Sequence, residues 1–342
     1  MLNVGNWFLQ SGIQEPSGGV ARYYLAAEKR NLPVSTEITG YFISSLVYLF
    51  ERTQREEYLA AAIRAAQFLT RQAHNRELKI TPFEMGPHAP AYFFDCGIIV
   101  RGLLAAYEIT REAEYLETAM ECGTSMGQYF RNGKHLHPIL EMPSLNPFPY
   151  EPRWSREPGC LQLKSAMAWY NLHQVCGDNQ FQRWYEQALE VALETHNSFL
   201  PGNDNPEKVM DRLHAYSYFL EGMLPVASRP ECAEAYEIGL AKAGALLREI
   251  GPTFRRSDVC AQILRVRLNC GLAVDRTAAA EEAAWAKSCQ YLSGDRNHVG
   301  GFSFGTKGGE LLPFVNPVST GFSMQALDEW ETGNRSPHSR LV

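Results

Sequence analysis

The segment Glu37-Ile-Thr-Gly-Tyr41 is the first of six apolar, small-residue-rich stretches that decide the fold of this 342-residue chain. The others read Asp95-Cys-Gly-Ile-Ile, Gly159-Cys-Leu-Gln-Leu, His214-Ala-Tyr-Ser-Tyr, Asp258-Val-Cys-Ala-Gln and Asn316-Pro-Val-Ser-Thr-Gly. Their spacings, counted to Pro317 for the last, are 58, 64, 55, 44 and 59 residues. A recurrence at this period predicts an architecture of repeated units.

The stretches between these segments have the pattern of amphipathic helices. In residues 181–197, apolar side chains recur at i, i+3, i+4, i+7, i+8 and i+11, which gives a helix one apolar stripe and one wet face. The same pattern occurs in residues 58–72, 115–130, 232–249 and 278–292, and a shorter version in residues 2–10. The sequence therefore predicts six helices that each bury one face.

The recurring segments themselves continue as stretches that are apolar on nearly every side, most clearly at residues 38–50, 98–107 and 215–224. Such helices are buried all round. Short turns, at residues 53–56 and 177–180 for example, join them to the amphipathic helices as antiparallel hairpins. Six hairpins closed into a ring make an all-α (α/α)6 toroid with the buried helices inside. Because no linker interrupts the pattern, we expect one domain over residues 1–342.

The longer connections all precede the buried helices, at residues 75–94, 131–158, 198–213 and 294–316. They are rich in Pro, Gly, His and aromatic residues, which favours turns and short β pieces. In an alternating ring these loops emerge at the end where the inner helices begin. Long loops inside a compact domain usually carry function. We therefore expect the functional site at this mouth of the toroid.

The amino-acid composition limits the kinds of molecule that this protein is expected to bind. A net charge of −6 and a pI near 5.9 leave no basic stripe for nucleic acid and disfavour anionic membranes. The chain has no apolar run of eighteen residues, and from residues 1–10 we expect no secretory signal. Its eight cysteines are scattered without a CxxC spacing, which favours reduced thiols in the cytoplasm and argues against zinc. We expect no metal or cofactor; the sequence does not indicate an oligomeric state.

Acidic residues open several of the inner helices. Glu37, Asp95 and Asp258 lie at helix starts, where unpaired backbone N–H groups and the helix dipole favour negative charge. Each of them alone fits a simple helix-capping role. Together they are candidates for acid/base catalysis, since neighbouring carboxylates can take different pKa values and divide the two roles. A helix start lowers a carboxyl pKa, so a general acid here needs a second carboxylate or an apolar wall to raise it.

A second candidate centre is His214, with Tyr218 four residues later on the same helical face. Histidine and tyrosine can abstract and return a proton beside a carboxylate, although a lone histidine in a packed helix is often a plain core residue. Further side chains expected to bind substrate lie in the loops and inner helices: Tyr41, Arg101, Trp154, Lys164, Tyr216, Tyr218, Gln262 and Asn316. We expect buried charges such as Arg101, Glu221 and Arg265 to pair across helices; alternatively, Arg101 or Arg265 clamps a substrate carboxylate.

Several of these motifs resemble the six-hairpin glycosidase-like superfamily. Thr36-Glu-Ile-Thr-Gly-Tyr41, Phe94-Asp-Cys-Gly97 and Leu213-His-Ala-Tyr216 are similar to helix openings in uncharacterised toroids associated with bacterial polysaccharide genes. Asp95-Cys-Gly97 also resembles the Asp-x-Gly of unsaturated glucuronyl hydrolases, more distantly. The resemblance implies an (α/α)6 toroid that acts on carbohydrates, with Asp95 as a catalytic aspartate. The second aspartate of those hydrolases has no counterpart in residues 158–164, where only Glu157 is near. The paired histidines of acylglucosamine 2-epimerases also lack a clear match.

Three hypotheses follow. The first is a glycoside hydrolase acting on a uronic-acid-type or other anionic oligosaccharide, with Asp95 as proton donor helped by Glu37 or Asp258. The second is a polysaccharide lyase or sugar epimerase that uses His214 with Tyr216 or Tyr218. The third is a toroid without catalytic activity that binds a glycan or a protein in polysaccharide biosynthesis.

Overall fold

The computed structural model describes residues 2–86, 88–151, 153–200 and 205–342. Within these ranges the backbone forms twelve α-helices, as the alternating pattern predicts. They are α1 (Leu2–Gln10), α2 (Thr36–Thr53), α3 (Glu56–Phe68), α4 (Phe93–Thr110), α5 (Ala113–Tyr129), α6 (Gln162–Cys176), α7 (Asn179–Phe199), α8 (Pro206–Gly222), α9 (Pro230–Ile250), α10 (Ser257–Asn269), α11 (Arg276–Ser288) and α12 (Pro317–Thr332).

The even-numbered helices are buried along most of their length, and we call them the inner helices. In α2, for example, every residue from Ile38 to Leu49 is buried. The odd-numbered, outer helices bury one face: in α3 the buried positions are Tyr58, Ala61, Ala62, Ala65, Ala66 and Phe68. This spacing is the apolar stripe of an amphipathic helix. The sequence prediction of alternating wet and dry helices is confirmed.

Short strands occupy the connections between helices. They are β1 (Val20–Ala21), β2 (Tyr24–Leu25), β3 (Arg30–Asn31), β4 (Val34–Ser35), β5 (Ala91–Tyr92), β6 (Arg131–Asn132), β7 (His135–Leu136), β8 (Ile139–Leu140), β9 (Phe254–Arg256), β10 (Gly305–Lys307), β11 (Glu310–Leu311) and β12 (Phe314–Val315). All pairs are antiparallel: β1 with β4, β5 with β8, β6 with β7, β2 between β3 and β12, and β10 between β9 and β11. Strands β4, β5, β9 and β12 lead directly into inner helices, which confirms the predicted β pieces.

The described residues divide into two compact units. Unit 1 consists of Met1–Ile13, Tyr23–Leu32 and Thr195–Val342, and unit 2 consists of Gln14–Arg22 and Pro33–Glu194. Inner helices α2, α4 and α6 belong to unit 2, and α8, α10 and α12 belong to unit 1. That residues 1–342 form a single domain stays a prediction.

Two inner helices begin elsewhere than the apolar pattern predicts. Helix α8 begins at Pro206, so the predicted loop at residues 198–213 is wrong from residue 206 onward; residues 201–204 lie outside the described residues. The reason is local: the Asn205 side chain accepts hydrogen bonds from the backbone N–H groups of Glu207 and Lys208, and Pro206 fits the first helical position. Because α8 begins at Pro206, His214 lies in the third turn of that helix. Helix α6 begins at Gln162 rather than at Gly159.

Close packing of inner helices α2 and α4 depends on a pair of glycines. A Cβ atom on Gly102 would lie 2.5 Å from the carbonyl oxygen of Gly40, closer than any real Cβ contact. Because a backbone carbonyl cannot swing away as a side chain can, we expect Gly102→Ala to lower the free energy of unfolding by about 1–3 kcal/mol, the usual cost of overpacking. Urea denaturation followed by circular dichroism measures the loss.

The matched control is Gly244→Ala in outer helix α9. Its Cβ would approach only the flexible guanidinium ends of Arg248, at 3.0 Å, and Arg267, at 3.6 Å. Since alanine is the better helix former by about 1 kcal/mol, this variant should be neutral or stabilised. Equal effects of the two substitutions would show that the contact between Gly40 and Gly102 is not what constrains this site.

No helix in the described ranges is both long and apolar enough to cross a bilayer. All eight cysteines carry free thiols, and Cys176 is the one that is not buried.

Candidate active site

Inner helices α4 and α6 run in the same direction. Gly97 of α4 packs against Ser165 of α6, and further along both helices the Nε of Arg101 donates a hydrogen bond to Asn171 Oδ1 at 3.1 Å. The first turns of α4 and α6 therefore lie at the same end of the unit. They present Asp95 and Gln162 there.

The starts of α2 and α4 are held by hydrogen bonds to the loops before them. Thr36 donates from its backbone N–H to the Phe83 carbonyl and from its hydroxyl to the Pro82 carbonyl, at 3.1 and 2.7 Å. The Phe93 N–H donates to the Pro138 carbonyl at 3.0 Å, next to the pairing of β5 with β8. These bonds fix the backbone that carries Glu37 and Asp95, which is what a precise arrangement of two carboxyl groups requires.

Asp95 and Glu37 form an electrostatically coupled pair of carboxyl groups. Burial raises the pKa of Asp95 well above its usual value, the negative charge of Glu37 raises it further, and the positive charge of Arg22 opposes both. Burial likewise raises the pKa of Glu37 to about 7, again opposed by Arg22. Asp95 is only 5% exposed, whereas Glu37 is half-buried. The site thus favours the protonated form of Asp95, despite its position at a helix start.

Two buried oxygen atoms at these helix starts have no hydrogen-bond partner in the structure: Asp95 Oδ2 and Gln162 Oε1. Gln162, like Asp95, is 5% exposed. An unsatisfied buried polar group is costly, so such atoms are commonly reserved for a ligand or an ordered water. Gln162 is the first residue of α6. The resemblance to glucuronyl hydrolases would place a second aspartate at the start of this helix.

Arg22 supplies the positive charge of this site, and sequence reasoning missed it. Its guanidinium lies 4.5 Å from the centre of the Phe83 ring, and Nη2 is 3.5 Å from a carboxylate oxygen of Glu84. Its buried Nε atom has no acceptor. Nothing in the sequence around Arg22 marks it, because it reaches the carboxyl pair through the pairing of β1 with β4.

The other predicted substrate-binding residues of unit 2 are placed as follows. Tyr41 is buried one turn beyond Glu37, Lys164 is fully buried in α6, and Trp154 is half-buried in the loop before α6. Arg101 is buried and bonded to Asn171, so one of its donors is already used inside the unit.

In unit 1 the structure brings together His214, Asp258 and Gln262 from helices α8 and α10. The Nδ1 atom of His214 lies 3.2 Å from Gln262 Oε1 and 3.6 Å from Asp258 Oδ2. Arg256 grips Asp258 with two hydrogen bonds, from Nε at 3.0 Å and from Nη2 at 2.7 Å, and also reaches Asp211 at 3.3 Å. Sequence reasoning missed Arg256, although its position two residues before Asp258 is a usable signal.

The charges of this cluster follow from that geometry. Burial acts to raise the pKa of Asp258, but the charges of Arg256 and His214 outweigh it, so the pKa is lowered and the carboxylate is ionised. Burial and the charge of Arg256 lower the pKa of His214 to about 4, although Asp258 and Glu221 oppose the shift. At neutral pH the cluster therefore combines an ionised aspartate with a neutral imidazole.

Tyr218 belongs to this cluster and Tyr216 does not. The ring centres of His214 and Tyr218 are 4.5 Å apart, edge to face. Tyr216 lies on a different face of α8, where its hydroxyl is 2.9 Å from Nδ1 of His196 on outer helix α7. Asn316 caps α12: its side chain accepts from the N–H groups of Val318 and Ser319.

Below this cluster, Glu221 and Arg265 are fully buried and paired with each other. The Nε of Arg265 donates to Glu221 Oε1 at 2.9 Å, and Arg265 Nη1 donates to Gln325 Oε1 at 2.7 Å. Arg265 is thus engaged by a carboxylate of the protein itself. Among the described residues, no group of three or more His, Cys, Asp or Glu side chains is arranged to hold a metal ion.

Comparison with solved structures identifies the fold. The chain resembles a cellobiose 2-epimerase from Spirochaeta thermophila with a TM-score of 0.75 at 13% identity, over 97% of this chain and 94% of that one. The fold is the (α/α)6 toroid of six-hairpin glycosidase-like proteins. The predicted (α/α)6 toroid fold is therefore confirmed.

Two other solved structures share this fold. The unsaturated glucuronyl hydrolase of Bacillus sp. GL1 gives a TM-score of 0.64 at 13% identity, covering 96% of this chain and 95% of that one. A GH76A α-1,6-mannanase from a Salegentibacter species gives 0.59 at 13% identity, covering 95% and 98%. These neighbours are carbohydrate-active enzymes with different reactions. No protein-family model and no curated protein sequence matches the chain.

Proposed function

We propose that this protein is a glycoside hydrolase that cleaves an oligosaccharide carrying a carboxylate, with Asp95 as the general acid. The observation that carries the proposal is the state of Asp95: its buried Oδ2 atom has no partner, and burial together with Glu37 holds its pKa well above the usual range. A carboxyl group that stays protonated at neutral pH can donate its proton to a leaving group.

In the reaction proposed, Asp95 donates a proton to the glycosidic oxygen as the bond from that oxygen to the anomeric carbon breaks. Water attacks the anomeric carbon, and the Glu37 carboxylate accepts the proton that the water loses. The pKa of Glu37, about 7, suits this base role because the group is ionised in part near neutral pH. Half-buried Glu37 is also the more exposed member of the pair, and so the better placed to meet water.

Arg22 supports an anionic substrate. It lies close enough to the two carboxyl groups to lower the pKa of both, and its Nε donor is buried without an acceptor. Arginine binds carboxylates through a planar fork of donors. A sugar carboxylate bound to Arg22 would sit beside the reacting bond.

The test combines one substrate panel with one isotope. Unsaturated uronyl disaccharides, 4-nitrophenyl glucuronides and neutral cello-oligosaccharides are incubated with the enzyme in H₂¹⁸O, and products are read by mass spectrometry. Hydrolysis yields two fragments, one of which gains ¹⁸O. An unsaturated product without ¹⁸O indicates a lyase, and an unchanged mass with a changed configuration indicates an epimerase; either result overturns the proposal.

The coupling within the carboxyl pair leads to a prediction that needs no substrate. Replacing Glu37 with glutamine removes the like charge next to Asp95, so the pKa of Asp95 should fall, while burial keeps it above the ordinary aspartate value. Carboxyl-carbon NMR titration of the ¹³C-labelled protein measures the shift. Glu57→Gln, at an exposed carboxylate paired with Arg55 at 3.1 Å, is the control that should leave Asp95 unchanged. An unaltered Asp95 titration in Glu37→Gln contradicts the coupling.

A second candidate function, sugar epimerisation, is favoured by the His214 cluster. A neutral imidazole held beside Tyr218 can remove a proton from carbon next to a carbonyl group. Incubation of aldoses and their disaccharides in D₂O tests it: an epimerase incorporates one solvent deuterium at carbon 2. Incorporation that survives Asp95→Asn and disappears in His214→Gln would favour this reaction over hydrolysis.

A further inference from the structure

Glu221 lies two turns beyond His214 on α8. Its side chain contacts the amide of Gln262 and can set the orientation of that amide. The Nε2 atom of Gln262 lies 3.2 Å from Glu221 Oε2, and its Oε1 atom lies 3.2 Å from His214 Nδ1. A carboxylate accepts hydrogen bonds and donates none, whereas an amide has one donating end and one accepting end. The ionised carboxylate of Glu221 therefore draws the NH₂ end of Gln262 toward itself.

The charge on Glu221 is secured by Arg265. Both residues are fully buried, and the guanidinium donates to Glu221 Oε1 from Nε at 2.9 Å and again from Nη2. A buried carboxylate paired in this way stays ionised because its partner compensates the charge. The orientation of Gln262 follows, with its carbonyl oxygen facing His214.

His214 Nδ1 is consequently surrounded by acceptors. Besides Gln262 Oε1, Asp258 Oδ2 lies 3.6 Å from this nitrogen, and two hydrogen bonds from Arg256 hold that carboxylate ionised. A neutral imidazole carries one hydrogen, on either Nδ1 or Nε2. Placing it on Nε2 would point the Nδ1 lone pair at two acceptor oxygens. A hydrogen on Nδ1 is donated to Gln262 Oε1 and also faces the negative charge of Asp258.

We propose that Glu221 is a positioning residue that acts through Gln262 to hold His214 in the Nδ1–H tautomer, which leaves the lone pair on Nε2 as the proton-accepting atom of this cluster. The histidine side chain free in water carries its hydrogen mostly on Nε2, so the protein inverts the ordinary preference. Nε2 is the atom through which His214 would take a proton from a bound ligand in the second candidate function. The tautomer itself holds whether or not that function does.

The experiment is long-range ¹H–¹⁵N correlation NMR of the whole protein at pH 7.5, with His214 assigned by comparison with His214→Gln. The two neutral tautomers give distinct nitrogen shifts and distinct coupling patterns. We expect the Nδ1–H form of His214 to exceed the other by about tenfold or more, the equivalent of one buried hydrogen bond. A predominant Nε2–H form, or an imidazolium, in the wild-type protein overturns the proposal outright.

Glu221→Gln tests the role of the charge. A neutral amide at this position can donate as well as accept, so it no longer dictates which end of Gln262 faces His214. We expect the ratio of tautomers to shift toward Nε2–H by several-fold. Gln262→Met, which removes the intermediary and keeps a similar volume, should also weaken the preference.

The matched control is Glu282→Gln in the same unit. Glu282 is buried and paired with Arg267 through two hydrogen bonds, at 3.0 and 2.7 Å. Glu282→Gln should lower the free energy of unfolding about as much as Glu221→Gln does, and should leave the tautomer of His214 unchanged. If Glu282→Gln changes the ratio as much as Glu221→Gln does, the effect is general loosening and the positioning role is rejected. If Glu221→Gln does not fold, the wild-type spectrum and Gln262→Met decide.

Discussion

Replacing Asp95 with asparagine is expected to lower kcat on whichever uronide the panel identifies by about 10²–10⁴-fold, the usual contribution of a general acid. Asparagine keeps the shape of the side chain but has no proton to give to the leaving group at a useful rate. The loss should be smaller for substrates with good leaving groups, such as 4-nitrophenyl glycosides, because these need less help from an acid. Steady-state kinetics on both kinds of substrate measure the difference.

The same substitution should leave the protein folded and change how its stability depends on pH. Because the folded pKa of Asp95 is raised, wild-type stability is greatest below the unfolded pKa and falls as the pH rises through the folded pKa. Ionisation of Glu37 lowers the stability further as the pH rises from the ordinary glutamate pKa to about 7. The Asp95→Asn variant lacks the destabilisation that ionisation of Asp95 causes in the wild type. The free energy of unfolding of the variant at pH 8 should therefore equal or exceed that of the wild type.

Asp178→Asn, at an exposed turn residue in the same unit, serves as the control and should change neither rate nor pH dependence. An Asp95→Asn enzyme with undiminished kcat would exclude Asp95 as the acid. An inactive variant that is also unfolded at pH 8 would assign the residue a structural role instead.

Arg265→Met is expected to produce the largest loss of stability in the chain, about 3–5 kcal/mol, because it leaves Glu221 as an uncompensated charge in a fully buried place. The substitution also removes the contact of the guanidinium with the Phe322 ring, at 4.6 Å, and its hydrogen bond to Gln325. Urea denaturation should show a lower midpoint with little change in slope.

The double variant Glu221→Gln/Arg265→Met separates the charge from the packing. With no buried charge left over, it should recover much of the loss, since replacing both members of a buried pair is often tolerated. Lys287→Met, at an exposed pair with Glu331 at 3.2 Å, should cost under about 1 kcal/mol. If the double variant is as unstable as Arg265→Met alone, the pair stabilises the protein through packing of its side chains and not through its charges.

The helical architecture was predictable because it depends on periodicity. An apolar stripe at helical spacing in residues 181–197 predicts a helix that buries one face. A segment that is apolar on nearly every side, such as residues 38–49, predicts a helix that is buried all round. Both predictions were confirmed. The start of α8 was mispredicted because residues 206–213 contain several charged side chains. The helix begins there through the Asn205 cap and Pro206, which are local signals that the apolar pattern outweighed.

The candidate site was predictable only in part. Glu37, Asp95 and Asp258 were identified as candidates because they open helices, and His214 because a short sequence motif marks it. Their protonation states were not, since these depend on burial and on charges that the fold brings close: burial opposed by Arg22 for the first two, and Arg256 for the others. The role of Tyr216 also depended on tertiary contacts, because only the structure shows that it faces His196.

By itself the sequence determined the order and amphipathic character of the helices and the class of fold, because these follow from the periodicity of apolar residues along the chain. Only the tertiary structure decided which carboxyl groups are charged. Asp95 and Asp258 occupy equivalent first turns of inner helices, yet one is raised in pKa by burial and a neighbouring glutamate while the other is ionised by two hydrogen bonds from an arginine. The difference arises because the free energy of a buried charge is set by whatever the fold places within a few ångströms of it.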